Sequence, residues 1–328
     1  MEPLLHRNFK RDRSLVLKLA GAAEPGSFIF PVGTSGVGKT VMEPWIIRKL
    51  AGDPERWRTG TLPAIVARAS RAEKGFFSSK DFQTRLNLAL QSPDFDWLDN
   101  SNDVDRRALC QLREDQVESG KVWSHLKLHA SERELRVAFE RQSVAREVKW
   151  VFVRDGASIC GTQKGKDPSD YILSCMEIAE QTRTVWVIFG VARMAKLWQT
   201  HGEVRRRSTV IPLMRYFDVE DDDIAFAQVV RTVARQYKFS SPDLVQNNVG
   251  LVYATTAGSY GQVKAFFARA WSRALLSGSD VVNQNHLSSA VYGEEDLKTL
   301  WADTREFDRL LVPGDTRRVV ESSPTGWK

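Results

Sequence analysis

Four short apolar runs punctuate the first two thirds of the chain, at residues 27–32, 62–67, 149–155 and 184–190. Each has the length and composition of a buried strand. Between them, residues 41–50, 79–90, 131–147 and 169–180 place apolar side chains at helical spacing. Strand and helix in alternation predict a doubly wound α/β domain with ligand loops at the strand ends. Ser131 with Glu134 has the form of a capping box, and Ala51-Gly52-Asp53-Pro54 stops the first of these helices. Pro44 predicts a kink in that helix. Residues 91–130 are harder to assign, because an acidic, turn-rich patch precedes a further expected helix.

Past Asp218 the pattern changes. Glu220-Asp221-Asp222-Asp223 opens a helix running to about Tyr237, its acidic start suited to a helix N-terminus. Helical spacing returns at 242–256, 260–277 and 285–291 with no strand between. The expected organisation is a basic lead-in over 1–26, an α/β nucleotide-binding domain over 27–217, a helical domain over 218–291 and a partly ordered tail over 292–328. The lead-in sets Arg7, Lys10, Arg11, Arg13 and Lys18 among apolar residues. It reads either as an amphipathic helix beside the nucleotide site or as a solvated arm.

The chemistry is concentrated in the turn after the first strand, Gly33-Thr34-Ser35-Gly36-Val37-Gly38-Lys39-Thr40. Strand, glycine-rich turn and helix in that order form the context of a P-loop. Its glycines let N–H groups converge on phosphate oxygens, Lys39 reaches the β/γ-phosphates and Thr40 coordinates Mg²⁺. ATP and Mg²⁺ are therefore the expected cofactors. The third apolar run ends in Asp155, where an acid can hold Mg²⁺ through water opposite the P-loop hydroxyl.

Composition adds limits. The net charge of +6 permits a polyanionic partner without requiring one. Three widely spaced cysteines, Cys110, Cys160 and Cys175, fit a reducing compartment better than a disulfide framework. His125 and His129 are four apart, but nothing nearby completes a metal site. No apolar stretch is long enough for a membrane helix, and residues 1–7 lack the form of a secretion signal, so the cytoplasm is expected.

A P-loop domain, a helical lid and the arginine cluster Arg205-Arg206-Arg207 past the fourth strand together resemble the AAA+ ATPases. Residues 30–40, the segment from Gly75 to Leu86 and the segment from Thr256 to Lys264 are similar to the AAA+ transposition regulators of the TnsC/TniB type, over about residues 20–290. That resemblance implies a parallel-sheet nucleotide domain followed by an all-helical lid. Asp155 would be the Walker B acid, Arg205, Arg206 or Arg207 a finger reaching a neighbouring protomer's nucleotide, and Lys264 a lid sensor. Arg68, Arg71 and Lys74 would face double-stranded DNA inside a ring or helical filament, hexameric or heptameric. A transposase and a target-selection protein would be the partners, in a Tn7-like or CRISPR-associated transposon.

Two positions depart from the family pattern. Gly156 stands where a glutamate usually polarises the attacking water, and Gly190 where a polar sensor is expected. Nucleotide binding should survive, with weak hydrolysis. The alternatives are a signalling or defence nucleotide switch of STAND type, and a helicase-loader-like ATPase.

Overall fold

Five strands, β1 (Phe28–Val32), β2 (Ala64–Arg68), β3 (Trp150–Arg154), β4 (Val185–Ile188) and β5 (Ser208–Pro212), form one parallel sheet in the order β2, β3, β4, β1, β5. The computed structural model describes residues 5–71, 75–93, 95–98, 110, 130–162 and 167–312. Central β1 and β4 are buried along their whole length, as expected for a parallel sheet covered on both faces. Four strands match the apolar runs, and β5 is an addition. As an edge strand it exposes Thr209 and Val210, so its burial pattern is weak. Its β-branched residues pair with β1 in register from Phe28↔Ser208 to Val32↔Pro212.

Around the sheet lie α1 (Arg7–Ala22), α2 (Lys39–Ala51), α3 (Ser79–Gln91), α4 (Glu132–Ala145), α5 (Pro168–Thr182), α6 (Lys196–Gln199) and α7 (Gly202–Arg206). The capping box forms: Glu134 N–H donates to Ser131 Oγ at 3.2 Å and Ser131 N–H to Glu134 Oε2 at 2.7 Å. α2 runs on through Pro44 to Ala51. α1 is a packed helix with Phe9, Val16 and Ala20 buried in the sheet core. Buried Asp12 accepts from Met214 N–H at 2.7 Å and ties α1 to the chain leaving β5.

The second unit comprises α8 (Glu220–Ala234), α9 (Leu244–Asn247), α10 (Val249–Thr256), α11 (Tyr260–Leu276) and α12 (Gln284–Ser289). Phe226, Val230, Val252, Val263, Phe266 and Phe267 bury a core of their own there. The partly ordered tail expected from residue 292 includes α13 (Glu294–Leu311), a helix of 18 residues. Leu297, Leu300, Trp301, Thr304, Phe307 and Leu311 recur at spacings of three and four, a helical stripe within the charged alternation. Phe307 enters the sheet core, and Asp308 accepts from Arg215 Nε and Nη2 at 3.1 and 2.8 Å. Residues 313–328 lie outside the described residues. No helix among the described residues is long and apolar enough to cross a membrane.

Candidate nucleotide site

In a parallel sheet all strands end on one edge, and there the turn after β1 meets the residues after β3 and β4. Gly36 and Gly38 take φ of +89° and +101°, which glycine adopts freely. The loop is closely walled. A Cβ on Gly38 would stand 2.9 Å from the Phe9 ring, and one on Gly33 2.8 Å from Val37 and 2.9 Å from Leu213. Among the described residues, the amides of residues 36–40 donate to no protein acceptor, so the loop presents free N–H groups at the N-terminus of α2. That is an anion cradle. Lys39 Nζ donates to the Gly33 and Thr34 carbonyls at 2.8 Å each. Burial pulls its pKa down to about 8, against the charge of Asp155.

Asp155 follows β3 at φ +55° and accepts from Arg68 Nε at 2.5 Å. Lys39, Thr40, Asp155, Arg68, Arg154 and Arg193 share the lining of a cavity of about 350 Å³. Exposed Thr40 and the Asp155 carboxylate are hard oxygen donors facing one space, a set that fits Mg²⁺ completing its shell with water and phosphate oxygens. Among the described residues no group of three His, Cys, Asp or Glu side chains is placed to hold a metal ion unaided.

The two departures have packing reasons. A Cβ on Gly156 would lie 2.3 Å from Ile188 Cγ2, and one on Gly190 would lie 1.8 Å from Met194 Sδ. Position 156 therefore directs any side chain toward β4. Arg154, the last residue of β3, pairs with Glu43 of α2 at 2.8 Å from Nε and 2.7 Å from Nη2. Burial pushes the Glu43 carboxyl up, and the Arg154 guanidinium draws it back down.

A second cavity of about 800 Å³, within the usual range for small-molecule sites, opens beside the loop. Leu5 and Phe9 line it from the lead-in, and Tyr260, Gly261 and Lys264 from α11. The segment from Thr256 to Lys264 is the seam between lid and loop. Gly261 N–H donates to the Gly36 carbonyl and Ser259 Oγ to the Ser35 carbonyl, each at 2.8 Å. Lys264 is exposed and makes no hydrogen bond or ion pair among the described residues. In the sequence Leu5 and Phe9 are two of the apolar residues of the lead-in. Their only signal there is the apolar stripe of the lead-in.

His6 caps α1, lies 3.1 Å from the Tyr216 hydroxyl and packs 5.0 Å from the Tyr260 ring. Burial lowers its pKa to about 4. The folded protein thus resists a proton that the unfolded chain accepts near pH 6.5. This contribution to stability is complete above pH 6.5 and is lost as pH falls toward 4, by up to about 3 kcal/mol. Denaturant unfolding of the parent and His6→Phe at pH 7.5 and 4.5 checks this: the parent should lose more stability on acidification than the variant.

The arginine cluster lies elsewhere. Arg205 and Arg206 end α7 and Arg207 precedes β5, so the cluster follows the fourth strand, β4, and comes before the last, β5. The five residues of β5 separate the cluster from the Lys39 edge by roughly 16 Å. Arg207 pairs with Glu180 at 2.9 Å and Glu203 at 3.5 Å, and Arg205 donates to the Gln199 carbonyl at 3.2 Å. Arg206 is exposed and has no such partner among the described residues. Arg68 is engaged by Asp155, while Arg71 is exposed and bridges Phe77 through its backbone. Lys74, His125 and His129 lie outside the described residues.

Compared by sequence, the chain matches no protein-family model and no curated protein. Its structure is similar to the Aeropyrum pernix ORC1 protein in complex with DNA, at 13% identity and a TM-score of 0.57, over 88% of this chain and 65% of that one. It is also similar to Cdc6p from Pyrobaculum aerophilum, at 14% identity and a TM-score of 0.54, over 99% of this chain and 72% of the other. The Walker-type ATPase PABY2304 of Pyrococcus abyssi matches at 14% identity and a TM-score of 0.51, over 98% and 81%. At such identities the likeness concerns the fold alone. The chain has the AAA+ architecture, a parallel-sheet nucleotide-binding core followed by a mostly helical region.

Proposed function

We propose that this chain is an ATP-dependent AAA+ protein that assembles with copies of itself on double-stranded DNA. One observation carries the reading: the P-loop cradle lies at one edge of the sheet and Arg205, Arg206 and Arg207 at the other. Arginines so far from their own cradle can complete a neighbour's, which makes assembly depend on nucleotide. ATP suits the site. Phe9 and Leu5 offer apolar surface to a base, and Lys39 and Lys264 offer charge to phosphates. Thr40 and Asp155 would hold Mg²⁺, whose chemistry is to neutralise phosphate charge. Arg68, Arg71 and Lys74 would contact the DNA backbone without base-specific readout, since three cations within seven residues of sequence can follow a phosphate backbone.

The likeness to ORC and Cdc6 chains, one of them in complex with DNA, favours the helicase-loader-like form of this function. A second form, a transposition regulator that marks a target and recruits a transposase, is favoured by the segments Gly75 to Leu86 and Thr256 to Lys264. Negative-stain imaging and sizing with plain duplex DNA, with and without ATP, test the shared core. Assembly should require ATP, weaken steeply with salt and disappear when residues 205–207 are all alanine, with ATP binding retained. Failure of the parent to bind duplex DNA with ATP would overturn the proposal in favour of the STAND-type switch. Co-sedimentation with a replicative helicase or with a transposase separates the two finer forms.

A further inference from the structure

We propose that Glu43 is the carboxylate that orients the water attacking the γ-phosphate, in place of the group that position 156 lacks. The inference rests on the nucleotide-site function above. Four residues after Lys39, Glu43 lies on the same face of α2, since i and i+4 side chains align. It lines the cavity that Lys39, Thr40 and Asp155 also line, yet is only 1% exposed. A carboxylate at such a helix position is costly to bury unless paired, and an apolar residue would pack there at no such cost.

The pairing is one-sided. Arg154 reaches Glu43 Oε1 with both Nε and Nη2, while Oε2 accepts no hydrogen bond among the described residues. One oxygen is anchored, and the other remains to receive a proton. Arg154 also leaves β3 next to Asp155, so the anchor is fixed to the strand that carries the metal-binding acid. Position 156 has no alternative to offer, because its Cβ direction is filled by Ile188. In the reaction, the water oxygen bonds to the γ-phosphorus as the bond from phosphorus to the β–γ bridging oxygen breaks. ADP leaves with that electron pair, and the water proton passes through Glu43 to the released phosphate.

Two variants test this, Glu43→Gln and the double replacement Glu43→Met with Arg154→Met. The double variant removes the ion pair while keeping the volume filled, so it should fold even where the single one does not. Single-turnover hydrolysis with Mg²⁺ and duplex DNA is measured beside calorimetric affinity for ATP and ADP and the lifetime of ATP-dependent assemblies. In both variants hydrolysis should fall about 100-fold or more, affinities should stay within about threefold, and assemblies should last longer. Hydrolysis at the parent's rate in either folded variant overturns the proposal, as does a parent that binds ATP but never hydrolyses it. Loss of nucleotide affinity in both variants reassigns Glu43 to a structural role. A parent that binds no ATP overturns the nucleotide-site function itself.

Discussion

Replacing Lys39 with alanine is expected to lower ATP affinity about 100-fold, the loss of charge-assisted hydrogen bonds worth about 1.5–3 kcal/mol. In the structure the ammonium rests on two loop carbonyls at 2.8 Å, a local arrangement that contributes nothing to either hydrophobic core. Folding should survive, because removing a half-buried amine also removes its desolvation cost. The pH dependence carries a second signature. Lys39 titrates near 8 without nucleotide, and phosphates at its side would raise that value. Binding above pH 8 must therefore take up a proton, and parent affinity should fall as pH rises from 7 to 9. Calorimetry at both pH values checks this, and the alanine variant should lose the trend. Equal affinity in parent and variant would remove Lys39 from the site.

Gly258→Ala should be among the most destabilising single changes in the chain. The residue sits at φ +70°, and a Cβ there would stand 2.0 Å from the Tyr216 carbonyl oxygen. Neither backbone can yield easily, because Tyr216 N–H donates to the Gly258 carbonyl at 3.0 Å. Strain and lost contact together predict about 3 kcal/mol or more, a fall in Tm of roughly 6–12 °C. Gly278 provides the control: its φ is +76°, but nothing lies within 4 Å of an added Cβ. Gly278→Ala should cost only about 1 kcal/mol. Thermal unfolding of the two variants separates backbone strain from steric collision.

Much of this architecture is legible in the chain because its signals are local. The P-loop is contiguous, β1, β3 and β4 are continuous apolar runs, and Ser131 and Glu134 cap their own helix. What the sequence obscures depends on distant partners. β5 is held by pairing with β1 and exposes Thr209 and Val210, so its apolar signal in the sequence is weak, and the arginines before it read only as following the fourth strand. Phe9 reads as one apolar residue among cations until it meets Gly38. Glu43 is one residue of the helix after the P-loop until β3 delivers Arg154 to it. α13 was hidden for another reason: its charged positions outnumber the stripe that packs.

α13 also changes how the helical unit can move. The chain passes from sheet core to lid once, after Tyr216, and α13 returns along both, with Trp301 Nε1 donating to the Ala254 carbonyl in the lid and Phe307 seated in the sheet core. A body joined at one point can swivel in any direction. A body joined at two points turns about the line between them, as a door does on a pair of hinges. Any turn about that line that opens the 800 Å³ cavity would also have to break the Gly261–Gly36 and Ser259–Ser35 hydrogen bonds of the seam, and a pair of probes on the lid and the sheet could follow it as a distance.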